Sequence, residues 1–185
     1  MMPGHFTKIA FGAALVCTGL FAQDLPDATV KKGPSVTLLP VTVSTITRGK
    51  ATPVELQFSV SAGYHINSNA PSEEYLIPTK LDLDPPTDLV VGKITYPLGE
   101  QMSFAFAPDE KLSVYTGDFP VSVWVRPLAS VLPGKYELRG TLRYQACDNA
   151  ACYPPKRLPV AFEVKVVKAP KPPAKNPAQS PHAHN

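Results

Sequence analysis

Residues 136–166 read YELRGTLRYQACDNAACYPPKRLPVAFEVKV, two alternating stretches joined by a loop that holds Cys147 and Cys152. The apolar residues of the first stretch share one parity: Tyr136, Leu138, Leu142 and Tyr144. Those of the second stretch do the same: Leu158, Val160, Phe162, Val164 and Val166. A period of two is typical of a β-strand with one face in the core and the other in water. This stretch therefore predicts two strands joined by the cysteine loop.

The same period recurs upstream of this pair. Two further stretches are apolar on one parity: Val54, Leu56, Phe58 and Val60, then Val121, Val123 and Val125. Additional strands are expected near residues 36–46, 75–83 and 89–96, separated by turns that contain proline and glycine. The 22 prolines oppose long helices, because proline lacks a backbone donor and clashes with the preceding turn. The pattern predicts an all-β fold, an immunoglobulin-like antiparallel β-sandwich, with a small barrel as the nearest alternative.

Length and composition restrict the classes of protein further. The 185 residues are enough for one domain with tails. The 18 basic and 15 acidic side chains leave a net charge of +3 without a run of lysine or arginine, which argues against nucleic-acid binding. A hydrophobic share of 44% is that of a globular protein, so disorder throughout the chain is not expected.

The N-terminus has the pattern of a secretory signal peptide. Residues 9–22 form an uncharged, mainly apolar stretch after Lys8, shorter than the ~20 apolar residues that a spanning helix needs. We predict a signal peptide at residues 1–22, cleaved after Ala22, and a leader segment at residues 23–35. An uncleaved anchor is the alternative, and lipid attachment at Cys17 is disfavoured because bulky Leu15 and Val16 precede it. The mature protein is expected to be exported and not inserted in a membrane.

The C-terminus is expected to be a disordered tail. Residues 168–185 read KAPKPPAKNPAQSPHAHN, with no acidic and no large apolar residue, so burial cannot offset the entropy of ordering them. His182 and His184 are too few ligands for a stable metal site. We therefore predict one folded domain at residues 36–167, no metal site and no cofactor.

The loop between the last two predicted strands carries the chemistry. Without the signal peptide only Cys147 and Cys152 remain, and a bridge between them would close a loop of about six residues, worth only about 2 kcal/mol. Cysteines that brace so little suit thiol–disulfide exchange, while a disulfide that merely stiffens the loop is the alternative. Zinc would need further ligands such as His65. A thioredoxin-type site is excluded, because the spacing is not C-x-x-C and no helix is predicted after it.

Residues 144–155, YQACDNAACYPP, resemble the active-site hairpin of the N-terminal periplasmic domain of the DsbD family of thiol:disulfide interchange proteins. Two further segments agree with that family: residues 63–69, GYHINSN, and residues 75–79, YLIPT. Residues 96–97 and 112–117 also fit. The resemblance extends from about residue 36 to residue 167, and the cysteine hairpin is its most specific part.

This resemblance implies an immunoglobulin-like sandwich in which Cys147 and Cys152 alternate between a disulfide and a dithiol. Cys152 would be the partner-facing thiol that forms a mixed disulfide, and Cys147 the resolving thiol. As a thiol:disulfide oxidoreductase, the domain would pass electrons between thioredoxin-like periplasmic proteins, toward disulfide isomerases or cytochrome c maturation. The family's membrane and thioredoxin-like domains are not recognised in this sequence, so the donor is expected to act in trans. We expect a monomer.

The resemblance also assigns a cover to the disulfide. An aromatic cap is expected between Tyr96 and Tyr115, and its candidate members are Met102, Phe104 and Phe106. The alternative is that Phe104 and Phe106 pack in the core from a strand, because their spacing also has a period of two.

Other side chains are expected around the cysteines. His65 and Asn67 stand where the best-known family members have tyrosines, and His65 is a candidate for tuning a thiol near neutral pH, with an ordinary histidine as the alternative. The remaining predicted neighbours are aromatic: Tyr64, Tyr144 and Tyr153. Asp148 opposes thiolate formation at Cys147, because a negative neighbour raises the pKa of a thiol.

The competing hypothesis is a non-catalytic binding module of immunoglobulin type, whose small disulfide only shapes a recognition loop. The reduction potential separates the two functions. A structural bridge typically lies below about −300 mV, whereas a relay must lie above that value, in the range of thioredoxin-like proteins. A third class, an assembly module that uses exposed sheet edges, has no specific residue in its favour.

Overall fold

The computed structural model describes residue 1, residue 33 and residues 35–170. The predicted signal peptide beyond its first residue, the predicted leader apart from Gly33 and Ser35, and the tail from residue 171 lie outside the described residues. Within the described part of the chain the fold is all-β. These residues form no helix that is long and apolar enough to cross a lipid bilayer.

Twelve strands are formed by the described residues. In chain order they are β1 (Val36–Leu38), β2 (Ser44–Thr47), β3 (Thr52–Val60), β4 (His65–Asn67), β5 (Lys80–Asp84), β6 (Leu89–Thr95), β7 (Glu100–Phe104), β8 (Ala107–Tyr115), β9 (Asp118–Pro127), β10 (Gly134–Tyr144), β11 (Ala146–Cys147) and β12 (Lys156–Val167). They assemble into three sheets of four strands each. Sheet A has the order β1-β3-β9-β6, sheet B the order β2-β12-β10-β5, and sheet C the order β11-β4-β8-β7.

Sheets A and B form an immunoglobulin-like sandwich, which confirms the predicted fold. The alternating residues of β3, β9, β10 and β12 point their apolar parity into one shared core, and their polar parity outward. Leu56, Val123 and Leu138 are fully buried in that core. All strand pairs are antiparallel except β2 with β12, which brings the N-terminal part of the domain alongside its last strand.

Two of the predicted strands differ from the observed ones. Residues 36–46 do not form one strand, because the chain leaves sheet A after Leu38 and enters sheet B at Ser44. Pro40, which lies in this crossing, has no N–H with which to continue a ladder. The strand predicted at residues 75–83 begins only at Lys80, two residues after Pro78. In both places the apolar pattern predicts a strand that a proline interrupts.

The segment between Tyr96 and Tyr115 is a hairpin of β7 and β8 in sheet C. Its pairing is irregular after Met102. At the tip of the hairpin, Phe104 pairs with Ala107 across a tight turn. One face of sheet C contributes Ile66 and Tyr115 to the main core. Its other face carries a second, smaller cluster, formed by Leu76, Phe104, Leu112 and Val114. The cysteine loop belongs to this sheet through β11.

Candidate active site

The two cysteines form a disulfide whose halves differ in accessibility. Cys147 ends β11 and is 0% exposed, whereas Cys152 lies on the exposed side of the loop. The two residues face each other across an isolated antiparallel bridge, with their Cα atoms 3.9 Å apart. An incoming thiolate must reach sulfur to exchange, and of this pair only Cys152 is accessible.

The loop between the cysteines is held by the side chain of Asp148. Its Oδ1 accepts hydrogen bonds from the backbone N–H groups of Ala150 (2.8 Å) and Ala151 (2.9 Å). Its Oδ2 accepts from the hydroxyl of Tyr153 at 2.7 Å. That hydrogen bond to a carboxylate raises the pKa of Tyr153 to about 12. The loop is therefore a preformed turn, in which an aspartate bonds its own backbone two and three residues ahead.

His65 lies beside the buried cysteine. A turn at residues 61–64 delivers β4 to this position, with the amide of Tyr64 bonded to the carbonyl of Ser61 (3.1 Å) and Gly63 at φ 80°, a conformation that glycine adopts without strain. In the ladder of β4 and β11, His65 pairs with Cys147, and Ile66 pairs with Ala146. Side chains of directly paired residues lie on the same face of a sheet. Ala146 and Ile66 therefore share the face of sheet C that packs on the main core. Cys147 and His65 share the opposite face.

The imidazole of His65 is buried under an aromatic stack. The residue is 3% exposed, and its ring lies 3.8 Å from that of Phe104, at an angle of 13°. Phe106 continues the stack, 5.5 Å from Phe104. Burial lowers the pKa of His65 to about 4, against a smaller opposing effect of the Asp148 carboxylate. His65 is therefore neutral at neutral pH, and its Nε2 has no hydrogen-bond partner.

The tip of the β7–β8 hairpin stands over the cysteine loop. The amide of Ala105 donates to Oδ1 of Asn149 at 3.4 Å, which joins the tip to the loop. Phe104 is buried, while Phe106 is 37% exposed and Met102 is 36% exposed. The two phenylalanines belong to this local stack, and neither belongs to the core of the sandwich.

Two open pockets of similar size flank this tip. One, of about 590 Å³, is a groove lined by Cys152, Gln145 and Phe106 together with residues 107–110 and Tyr75. The other, also about 590 Å³, is a hollow whose lining includes His65 and Phe104. Phe106 and Phe104 each line one pocket, so a movement of the hairpin tip would change access to both sides of the disulfide.

A second contact network supports the loop from below. The Asn67 side chain donates to the carbonyl of Ile77 (3.0 Å) and, at 3.4 Å, to Oε1 of Gln145. Gln145 in turn donates to the carbonyl of Tyr153 at 3.1 Å, one residue after Cys152. No sequence pattern points to Gln145, because a single glutamine beside a motif has no periodicity or spacing of its own. The hydrogen bond that orients Gln145 comes from Asn67, which lies on β4, far away in the chain.

The predicted tyrosines occupy different places. Tyr64 and Tyr153 meet edge to face, with ring centroids 5.9 Å apart, next to the cysteine loop. Tyr144 lies in the main core, where its hydroxyl accepts a hydrogen bond from the amide of Val36 at 3.2 Å. Among the described residues, no three His, Cys, Asp or Glu side chains come together as a metal site.

Comparison with known proteins places this arrangement in a family. Residues 35–163 match the family model for the N-terminal part of the thiol:disulfide interchange protein DsbD. No curated protein matches the chain. The DsbD N-terminal domain of Neisseria meningitidis in its reduced form is 24% identical, with a TM-score of 0.37 over 59% of this chain and 74% of that chain. A complex between the DsbD N-terminal and PilB N-terminal domains of Neisseria meningitidis matches at 22% identity, with a TM-score of 0.37 over 59% and 73% of the two chains.

Proposed function

The chain belongs to the family of DsbD N-terminal domains, and from that premise we propose that it is an exported redox relay domain, in which Cys147 and Cys152 pass electrons between thioredoxin-like proteins. One observation carries the proposal: an exposed cysteine is bonded to a fully buried one at the wall of an open groove. A disulfide with one accessible sulfur reacts with a partner at that sulfur and keeps the other for resolution.

Reduction of the domain begins at Cys152. A thiolate of the partner forms a bond to Cys152 Sγ, the Cys147–Cys152 bond breaks, and Cys147 leaves as a thiolate that takes up a proton. The second thiol of the partner then loses its proton and attacks the partner's own sulfur in the mixed disulfide, which releases Cys152. The partner dithiol has lost two electrons and two protons, and the cysteine pair has gained them.

Delivery of the electrons uses the same atoms in reverse. The Cys152 thiolate attacks the disulfide of an acceptor, and Cys147 then loses its proton and attacks Cys152 Sγ. The acceptor leaves as a dithiol and the domain returns to the oxidised state. Both directions require that Cys152 stays accessible and Cys147 stays protected, which is the arrangement in the structure.

The aromatic tip is proposed as the cap of the site. Phe106 lines the groove beside Cys152, and Phe104 rests on His65. A bulky partner must displace or contact this tip to reach Cys152 Sγ, whereas small thiols need less room. The cap therefore slows exchange with proteins whose surface does not fit the tip.

The cell compartment and the partners follow from the same proposal. An apolar N-terminal stretch with a small residue before the polar switch supports export, and thiol–disulfide exchange of this kind belongs to an oxidising compartment such as the periplasm. The partners would be thioredoxin-like proteins that act in trans, with disulfide isomerases or cytochrome c maturation as destinations of the electrons. The domain would act as a monomer.

An equilibrium redox titration of residues 23–185 in dithiothreitol buffers tests the function. We expect a reversible two-electron transition above about −300 mV. Alkylation of the free thiols, read out by mass, measures the reduced fraction at each potential. A disulfide that resists reduction to far lower potentials would contradict the relay and leave a binding module with a stiffened loop.

Trapping variants then test the roles of the two cysteines. Cys147→Ala keeps the accessible thiol, which should attack the disulfide of an oxidised thioredoxin-like protein and accumulate as a mixed disulfide with it. Cys152→Ala is the matched control, because it keeps only the buried thiol and should trap nothing. Equal trapping by both variants would contradict the assignment of Cys152 as the partner-facing thiol.

A further inference from the structure

The Nε2 atom of His65 is buried without a hydrogen-bond partner in the disulfide form. A buried polar nitrogen that lacks a partner costs free energy, and most such groups in native proteins are paired. The stack on Phe104 covers the flat face of the ring and offers its nitrogens nothing. The Nε2 atom therefore makes no hydrogen bond that would offset the cost of its burial in the disulfide form.

The register of sheet C supplies a partner. His65 is directly opposite Cys147, and Cys147 is directly opposite Cys152, so the three side chains form a row on one face. Paired side chains have their Cβ atoms about 4.5–5.5 Å apart, within reach of an imidazole and a sulfur. In the disulfide, Cys147 Sγ has no hydrogen to donate and is only a weak acceptor. In the dithiol it has become either a donor or a negatively charged acceptor.

We propose that His65 hydrogen-bonds Cys147 Sγ only in the reduced domain, and thereby acts as a positioning residue that favours the dithiol over the disulfide. The proposal rests on the relay function. The thiolate that Cys147 becomes as it leaves takes up a proton, and the resulting S–H donates to Nε2 of the neutral imidazole, whose own ring proton stays on Nδ1. His65 gains and loses no proton overall, and the proton that Cys147 takes up comes from water or from the partner thiol.

The surroundings favour a neutral imidazole in this role. Asp148, on the loop after β11, is the charged group that acts on His65. The other residues that line its hollow carry no charge at neutral pH, among them Tyr64, Thr116 and Asn149. Burial keeps the ring uncharged, so it stabilises the sulfur through a hydrogen bond and not through an ion pair.

The first test measures the redox equilibrium of His65→Phe. Phenylalanine keeps a flat ring against Phe104 and removes both nitrogens, so the loss is restricted to hydrogen bonding. Against dithiothreitol, we expect the equilibrium constant to move about three- to tenfold toward the disulfide, the effect of one hydrogen bond. Val164→Ala is the control, because it destabilises the distant core and should leave the constant unchanged. An unchanged constant in His65→Phe would overturn the proposal.

A spectroscopic measurement on the unsubstituted protein tests the hydrogen bond between His65 and Cys147 even if His65→Phe does not fold. The ¹⁵N shifts of the His65 ring nitrogens are recorded in the oxidised and the reduced states. We expect one nitrogen to shift on reduction as its hydrogen bond forms, while those of His182 and His184 stay constant. Identical His65 shifts in the two states would overturn the inference. If the protein cannot be reduced reversibly at all, the relay function itself fails, which is a distinct result.

Discussion

The sandwich and sheet C bury different kinds of side chain. Between sheets A and B the core is made of valine, leucine, isoleucine and aromatic residues, which strands of period two deliver to it. Apart from tyrosines, every buried polar side chain of the described residues lies in or beside sheet C: His65, Asn67, Ser68, Thr79 and Ser113. The sandwich core thus buries apolar and aromatic side chains, whereas sheet C, which carries the disulfide, also buries hydroxyl, amide and imidazole groups.

The two regions contribute differently: the apolar core of the sandwich stabilises the fold, and the polar groups of sheet C orient the strands that carry the disulfide. Burial of apolar surface stabilises the sandwich without regard to direction, whereas most buried polar groups are held in one orientation by hydrogen bonds. Ser68 and Ser113 bond each other through their hydroxyls at 2.9 Å, and Thr79 donates to the carbonyl of Asn67 at 2.6 Å. Such bonds set the orientation of the strands beneath the cysteine loop. Substitutions in the two regions should therefore change different measurable quantities.

The largest effect on stability is expected from Phe58→Ala. Phe58 is fully buried and stacks on Phe119 at 5.6 Å, so truncation leaves a cavity and should lower the free energy of unfolding by about 3–5 kcal/mol. Urea denaturation measures this, with exposed Trp124→Ala as the control, expected to lose less than about 1 kcal/mol. The redox equilibrium of the folded protein should stay the same. A shifted equilibrium in Phe58→Ala would show that the two regions are coupled.

Acid should destabilise the protein through His65. Its pKa is lowered to about 4 from the 6.5 of an unfolded histidine, so between these values the unfolded chain binds a proton that the folded chain does not. The contribution of His65 to stability is therefore intact above about pH 6.5 and is lost as the pH falls through about 4, by up to ~3 kcal/mol. Denaturation of the wild type and of His65→Phe from pH 7 to pH 4 measures the difference. Parallel pH profiles would contradict the assigned burial of a neutral imidazole.

Loss of the disulfide should have a moderate effect on stability. Cys152→Ala removes the bridge at an exposed position without leaving a cavity, and the short loop predicts a loss of about 2 kcal/mol. Thermal and urea unfolding of the variant measure it, with the oxidised wild type as reference. A loss above about 4 kcal/mol would mean that the bridge braces the fold, which would favour the structural function over the relay.

The smallest effect on stability, with a clear effect on rate, is expected from Phe106→Ala. Phe106 is 37% exposed at the hairpin tip, so its truncation should cost less than about 1 kcal/mol. Opening the groove beside Cys152 should accelerate reduction by a thioredoxin-like protein severalfold. Leu132→Ala, an exposed apolar residue outside both pockets, is the matched control. Equal rates for the two variants would remove the cap from the proposed mechanism.

Much of the sandwich could be predicted from the sequence, because burial in a strand is encoded residue by residue. The parity of Val54, Leu56 and Phe58 indicates which side faces the core wherever the strand is placed. The same holds for β9, β10 and β12. Residues 75–79 lie outside the strand that the pattern predicts there, since an apolar run that contains Pro78 satisfies the pattern without having all the backbone donors of a strand.

The cysteine pair could also be found in the sequence, because C-x4-C between two alternating stretches is a local signal. Candidates for its surroundings come only from the resemblance to a family, and their arrangement could not be predicted. Phe104 and Phe106 have a spacing that fits a cap and a strand equally, and only the turn at Ala105 and Phe106 brings them over His65. Tyr144 lies next to the cysteine motif in sequence, yet the strand directs its ring into the main core.

The sequence by itself determined that this protein is all-β, which side of each long strand faces the core and where a thiol pair lies, because these properties depend on neighbours along the chain. Tertiary structure alone decided that His65 lies beside Cys147, that Cys152 is the exposed half of the disulfide, and that Asn67 reaches Gln145 under the loop. Those contacts join strands that are far apart in the chain. Their geometry results from the pairing register and packing of whole sheets, and no single segment encodes it.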